Sequence, residues 1–208
     1  MLGDPSVETF PHFAFIVEEP LVQRFFLLLQ QGVKIRRRIG CSVDVFLRQE
    51  IGATPETIEK IQSIMLDGKP VDDIGSSLLH AGSTLALSAA MPGLVGATLR
   101  RGGAYSSFRS AITYHETGMA CAPGEGWVSV KIFNLLMAEL GPDLLRKGVL
   151  LRSSDLLGFL TERVEEFRHG YSATLNGKPI DIGKLAGSTV LEGNNQVFLT
   201  VAVGPVSA

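Results

Sequence analysis

The sequence predicts an α+β chain of two tandem β-grasp domains, each a mixed sheet wrapped on one helix. Three observations carry that prediction. The stretch Leu66-Asp67-Gly68-Lys69-Pro70-Val71-Asp72 returns as Leu175-Asn176-Gly177-Lys178-Pro179-Ile180-Asp181. Shorter echoes flank both copies in the same order. Within each half the hydrophobic patterning reads strand, strand, helix, strand, loop, strand.

Asp-Gly and Asn-Gly are tight-turn dipeptides because both positions tolerate positive φ. The two turn glycines, Gly68 and Gly177, lie 109 residues apart. Upstream, Ser42-Val43-Asp44-Val45-Phe46-Leu47 is echoed by Ser154 to Leu160 at a spacing of 112, and Gly32-Val33-Lys34-Ile35-Arg36 by Gly148 to Arg152 at 116. Downstream, Gly82 to Leu87 is echoed by Gly193 and Val197-Phe198-Leu199, with the two glycines 111 apart. A preserved order with slowly drifting spacing is what loop insertions leave after a duplication.

The first domain is expected over residues 1–97. Residues 1–12 read as a lead-in, and Phe13 to Val17 as a strand closed by Pro20. Leu21 to Gln30 is open between a buried strand and a short helix. Val33 to Ile39 is a strand with Val33, Ile35 and Ile39 on one face. Ser42 caps a helix with Val43, Phe46, Leu47 and Ile51 inward, ended by Gly52. Pro55 starts another turn carrying Ile58 and Ile61. Ile64 to Leu66, the Asp-Gly turn, a loop through Asp72 and Asp73, and the strand Ser83 to Leu87 complete the unit.

Residues 98–126 have no counterpart in the second half. Ala97 to Arg100 and Phe108 to Tyr114 predict a hairpin around Gly102-Gly103, and Ala120 to Gly126 a linker. The second domain is expected over 127–208. Trp127 to Phe133 is a strand, Gly141-Pro142 breaks the chain, and Val149 to Arg152 is the next strand. Ser153 or Ser154 caps a helix with Leu156, Leu157, Leu160, Val164 and Phe167 inward. Tyr171 to Leu175 and Gln196 to Val201 are the remaining strands.

Composition narrows the function classes. Hydrophobic residues make up 45% of the chain and mean hydropathy is +0.24, which indicates a filled globular interior. A formal charge of −2 gives no basic field for nucleic acid or anionic membrane. Cys41 and Cys121 are far apart and form no C-x-x-C, which fits a reducing cytoplasm. The longest nearly apolar run, Leu85 to Leu99, contains Pro92 and falls short of the roughly 18 apolar residues of a spanning helix.

The second half resembles the small sulfur-carrier proteins, namely the small subunit of molybdopterin synthase and the thiamine sulfur carrier. The resemblance rests on Val130-Lys131-Ile132-Phe133 with Leu135 to Gly141, Ser154 to Leu157, Leu175-Asn176-Gly177-Lys178, and Leu191-Glu192-Gly193 before Val197-Phe198-Leu199. It covers 127–208; the first half matches more weakly. It implies a ubiquitin-like β-grasp fold. Function in that family sits on a free terminal diglycine, adenylated by an activating enzyme and then converted to a thiocarboxylate. This chain ends Gly204-Pro205-Val206-Ser207-Ala208, and the first half offers no free carboxylate at Met91 to Ala97. No catalytic position carries over. The expectation is a non-catalytic protein-interaction or scaffold module, with a cofactor-biosynthesis or activating enzyme as candidate partner and a homodimer as candidate assembly. The alternative is a sulfur carrier in molybdenum-cofactor or thiamine biosynthesis, active after trimming. Leu99-Arg100-Arg101-Gly102-Gly103 is similar to the tail of ubiquitin, so a cut after Gly103 would release a modifier; its plainer reading is a solvated hairpin tip.

Other chemistry is sparse. His12, His80, His115 and His169 share no metal-ligand spacing, and no P-loop, G-x-G-x-x-G after a strand, or Gly-x-Ser-x-Gly occurs. No cofactor or metal is therefore expected. Asp72-Asp73 reads as solvated loop. One candidate site remains: Arg37, Arg100 and Arg101, joined by Arg36, Arg38 and Arg109, could line an anion site to which Gly102 and Gly103 add backbone N–H groups. The competing reading is an edge strand kept soluble by charge.

Overall fold

The computed structural model describes residues 10–116, 124–185, 191 and 193–206. The expected lead-in up to residue 9, the linker residues 120–123 with Cys121, Glu192, and the terminal Ser207-Ala208 lie outside them. In chain order the strands are β1 (His12–Val17), β2 (Val33–Ile39), β3 (Ser63–Leu66), β4 (Lys69–Pro70), β5 (Thr84–Ser88), β6 (Gly124–Phe133), β7 (Val149–Arg152), β8 (Tyr171–Leu175), β9 (Lys178–Pro179) and β10 (Gln196–Val203). The helices are α1 (Glu19–Val22), α2 (Phe26–Gln31), α3 (Val43–Val45), α4 (Pro55–Lys60), α5 (Gly93–Leu99), α6 (Leu136–Lys147) and α7 (Ser153–Glu162). A π-helical turn, Phe46–Ile51, extends α3, and a 3-10 helix, Ser106–Ile112, follows α5. The fold is α+β, and it divides into two compact units, Gln23–Leu144 and Met1–Val22 with Leu145–Ala208.

In the unit Gln23–Leu144 the strand order is β4-β3-β5-β6-β2. β5 and β6 run parallel, with Leu85 opposite Val130, and every other pair is antiparallel. Alternation on β6 buries Val128, Val130 and Ile132, and β2 buries Val33, Ile35 and Ile39 on its matching face. Ser42 Oγ accepts from the Val45 N–H at 3.3 Å and starts the helical segment. That segment then buries Val43, Phe46, Leu47 and Ile51 as its spacing requires.

In the other unit the order is β7-β10-β1-β8-β9. Here β1 and β10 are the parallel pair, with Phe15 opposite Val201, and the neighbours are antiparallel. Phe13, Phe15, Val17, Val197, Leu199 and Val201 form the buried face, covered by Leu156, Phe159, Leu160 and Phe167.

The repeated turns take the same conformation. Asp67 and Gly68 have φ of 51° and 78°, and Asn176 and Gly177 have φ of 51° and 78°. Both positions need positive φ, which Asp, Asn and Gly supply. Each turn uses its first side chain in the same way. Asp67 Oδ1 accepts from the Thr84 N–H at 2.7 Å, and Asn176 Oδ1 from the His12 N–H at 2.8 Å. Thr84 opens β5, the last strand of the first half, whereas His12 opens β1, the first strand of the chain. By sequence β1 opens one half and β6 the other; by pairing β1 lies between β10 and β8, and β6 between β5 and β2.

Three local expectations are corrected, and one left open is resolved. The hairpin expected around Gly102-Gly103 is replaced by α5 and the 3-10 helix, in which Arg109 is buried against Asp72. Gly141-Pro142 does not break the chain; α6 runs through it. A mid-helix proline costs about 3 kcal/mol, and burial of Leu136, Leu140 and Leu144 offsets that. Neither Ser153 nor Ser154 caps α7, whose cap position is Arg152 with no side-chain bond. Arg152 instead reaches Asp155 Oδ2 at 2.8 Å. Leu21 to Gln30, left open by the sequence, is helical, in α1, a 3-10 turn and α2.

Candidate functional site

Two features of the unit Gln23–Leu144 bear on function: the arginine strand β2 and the segment 91–116. On β2, Arg36 and Arg38 face outward. Arg36 Nε lies 3.2 Å from Glu125 Oε2, and Arg38 Nε 3.2 Å from Glu50 Oε1. Arg37 shares the inward face with Val33, Ile35 and Ile39 and is partly buried. Its Nη1 donates to the Arg36 carbonyl at 2.7 Å, and its Nη2 is buried without a hydrogen-bond partner. These arginines, Glu50, Gly124 and Glu125 line an open groove of about 630 Å³. Two of its three cations are thus already neutralised by its two carboxylates.

The other expected anion ligands stand elsewhere. Arg100, Arg101, Gly102 and Gly103 follow α5 and do not line that groove. The Arg101 N–H donates to the Gln62 carbonyl at 2.7 Å, and the Gly103 N–H to the Arg100 carbonyl at 3.1 Å. The Gly102 N–H does meet an anion, but an internal one: Asp72 Oδ1 at 3.2 Å. The same carboxylate receives both terminal nitrogens of Arg109, Nη2 to Oδ1 at 2.6 Å and Nη1 to Oδ2 at 3.0 Å. Arg109 Nε donates to the Thr98 carbonyl at 2.6 Å, Nη2 also to the Arg100 carbonyl at 3.2 Å, and Nη1 to Thr113 Oγ1 at 2.9 Å. All five guanidinium N–H directions are thereby engaged. Asp72, expected to be solvated loop, holds Gly102 and Arg109 of the inserted segment.

A second brace lies at its end. The Tyr114 N–H donates to the Pro70 carbonyl at 2.8 Å, and the Tyr114 hydroxyl donates to Glu116 Oε2 at 3.0 Å. Burial, and then the Glu116 carboxylate, pushes the Tyr114 phenol up to about 12. Gly96 closes the start: it is buried, and a Cβ there would overlap the Met91 carbonyl.

What this scaffold presents is apolar. Leu94 is 74% exposed, Val95 63%, Phe108 80% and Ile112 56%, and Met91 and Tyr105 join them. Tyr105 and Phe108 stack with ring centroids 6.1 Å apart. Six of the exposed large hydrophobic side chains among the described residues thus fall within 91–112. The segment 91–112 is thus the stretch of the described residues in which exposed large apolar side chains concentrate.

The Cys41 thiol is pushed above its ordinary pKa by burial and then by the nearby Glu50 carboxylate, opposite to activation. Among the described residues no group of three or more His, Cys, Asp or Glu side chains is placed to hold a metal ion. No helix among them is long and apolar enough to cross a membrane. The Asp72–Arg109 pair was not expected from the sequence. Its signal was a single arginine inside the otherwise uncharged run Gly102 to Tyr114. Comparison with protein-family models, curated proteins and solved structures gave no match.

Proposed function

We propose that this chain is a non-catalytic protein-interaction module, working in the cytoplasm, whose partner docks on the apolar platform of residues 91–112. The observation that carries the reading is that exposed Leu94, Val95, Tyr105, Phe108 and Ile112 are held outward by a segment locked through Arg109. Loops that merely connect elements are polar; a braced loop that exposes phenylalanine and leucine stabilises nothing in the free chain and serves a bound state.

The scaffold is read as a duplicated β-grasp sheet of sulfur-carrier ancestry in which the first strands of the two halves have changed places. The paired turns, with equal φ values and equal side-chain acceptors, support the duplication. The order β4-β3-β5-β6-β2, with its central parallel pair, supports the β-grasp reading once β6 stands in for the first strand.

A photo-crosslinking residue placed at Phe108 in the native host tests the platform. One defined protein adduct is expected, absent when the same residue replaces Lys184 and lost with Leu94→Ser. Equal labelling from both positions, or none from Phe108, overturns the reading.

A further inference from the structure

We infer that the occupant of the platform is an acidic amphipathic helix presented by a partner protein; this rests on the docking role proposed above. The argument is one of charge. The chain holds 21 acidic residues, yet from Ile74 to His115 there is none. The charged side chains of that run, histidines aside, are Arg100, Arg101 and Arg109. Arg109 is neutralised by Asp72 and is 4% exposed. Glu116, at the far end, is held by the Tyr114 hydroxyl and by the Leu78 N–H at 3.2 Å. The unpaired charge that the run itself carries is therefore that of Arg100, which is exposed, and Arg101, which is half-exposed and whose Nη2 donates to the Ile58 carbonyl at 3.5 Å. The segment 91–112 thus brings two arginine charges and no carboxylate of its own to its apolar side chains.

The complement is a segment with large apolar side chains on one face and Asp or Glu beside them, the pattern of a helix laid on a hydrophobic surface with i, i+3, i+4 and i+7 anchors. Carboxylates flanking the apolar stripe would meet the guanidinium groups, steer the encounter and fix its direction. Two other occupants fit less well. A second copy docked by a two-fold axis on this patch would bring a second Arg100 and Arg101 into the interface and, from the run 74–115, no carboxylate to meet them. An anionic bilayer would need more basic residues than two, and it would repel a chain of net charge −2.

The test is selection of helical peptides from a displayed library of amphipathic sequences on the immobilised full-length chain. The expected winners carry Leu, Phe or Ile at helical spacing flanked by Asp and Glu. Their binding should be lost with Phe108→Ser, which removes an 80% exposed side chain and leaves the core intact. With Arg100→Glu and Arg101→Glu together, the winners should weaken by about tenfold or more and lysine-flanked twins should gain. Winners that bind equally to the Phe108→Ser chain would overturn the platform itself. Winners lost with Phe108→Ser but neutral, basic or extended would overturn only the acidic helix, as would no enrichment at all. Sedimentation with phosphatidylserine vesicles, or a dimer in ultracentrifugation that Phe108→Ser dissociates, would replace it with a membrane or a second copy.

Discussion

Arg109 Nη2 and Asp72 Oδ1 stand 2.6 Å apart, with the guanidinium 4% and the carboxylate 35% exposed. The partners come from different stretches of the unit: Asp72 follows the β3–β4 turn, and Arg109 lies in the 3-10 helix beyond α5. The contact is a fork, two nitrogens on two oxygens, with three further acceptors on the same side chain. Such geometry suits arginine and not lysine, which has no planar donor pair.

Removing one partner leaves a buried charge alone. Asp72→Ala is expected to destabilise the chain by about 2–3 kcal/mol, below the ~3–5 kcal/mol of a fully buried pair because Asp72 is a third exposed. Adding Arg109→Met should recover about 1 kcal/mol or more of that loss. Urea unfolding of the two single variants and the double variant closes the cycle. Additive losses would mean that the pair is not coupled.

Gly96 decides how α5 sits. A Cβ there would meet backbone, the Met91 carbonyl, which cannot swing aside as a side chain can. Gly96→Ala should therefore displace α5 and speed amide exchange from Leu94 to Leu99, while Gly68→Ala, with open space around its Cβ, should cost about 1 kcal/mol from its φ of 78° alone. Hydrogen-exchange mass spectrometry on both variants checks this. Equal exchange in α5 of wild type and Gly96→Ala would contradict it.

What the sequence reveals follows from how local the cause is. Ser42, Gly52, Asp67-Gly68 and Asn176-Gly177 act through their own backbone angles and nearest bonds, so their turns and caps can be read from a few residues. Val33, Ile35 and Ile39 declare a face by alternation. Alternation does not declare a neighbour: Phe13, Phe15 and Val17 on β1 and Val128, Val130 and Ile132 on β6 suit any central slot with an apolar face. Strand partnership is set by the whole sheet, and so the placement of β1 beside β8 was not legible. The hairpin expected around Gly102-Gly103 failed for a related reason. Phe108 to Tyr114 has strand-like residues, but Arg109 finds Asp72 only in three dimensions, and that contact overrides local propensity. That the Gly102 N–H meets Asp72 Oδ1 was not legible, because the sequence offers Gly102 and Gly103 only as partners of the arginines and Asp72 only as solvated loop.

The Tyr114 phenol gives a pH dependence. Burial and Glu116 hold it protonated, raising its pKa to about 12 in the folded state. A raised folded pKa gives stability that is complete below the ordinary phenol value near 10 and is lost as pH rises through about 12. Near-ultraviolet titration should therefore show one of the three tyrosines ionising late, and Glu116→Gln should bring that step earlier. If Glu116→Gln leaves the titration unchanged, the carboxylate does not contribute.

The strand placement predicts how a cut chain behaves. A break between Glu116 and Gly124 gives one fragment with β1 to β5 and another with β6 to β10. Each unit then loses a central strand: β6 from between β5 and β2, and β1 from between β10 and β8. Strand β6 buries Val128, Val130 and Ile132, and β1 buries Phe13, Phe15 and Val17. At about 1.5–3 kcal/mol for each side chain, either loss is comparable with the ~5–15 kcal/mol by which a domain is stable. Neither fragment should show a cooperative thermal transition alone, and an equimolar mixture should recover one close to that of the intact chain. Pairing by own halves would give the opposite result, since each fragment would then hold a complete set of strands. A sharp transition in fragment 124–208 by itself would show that β1 is not needed there.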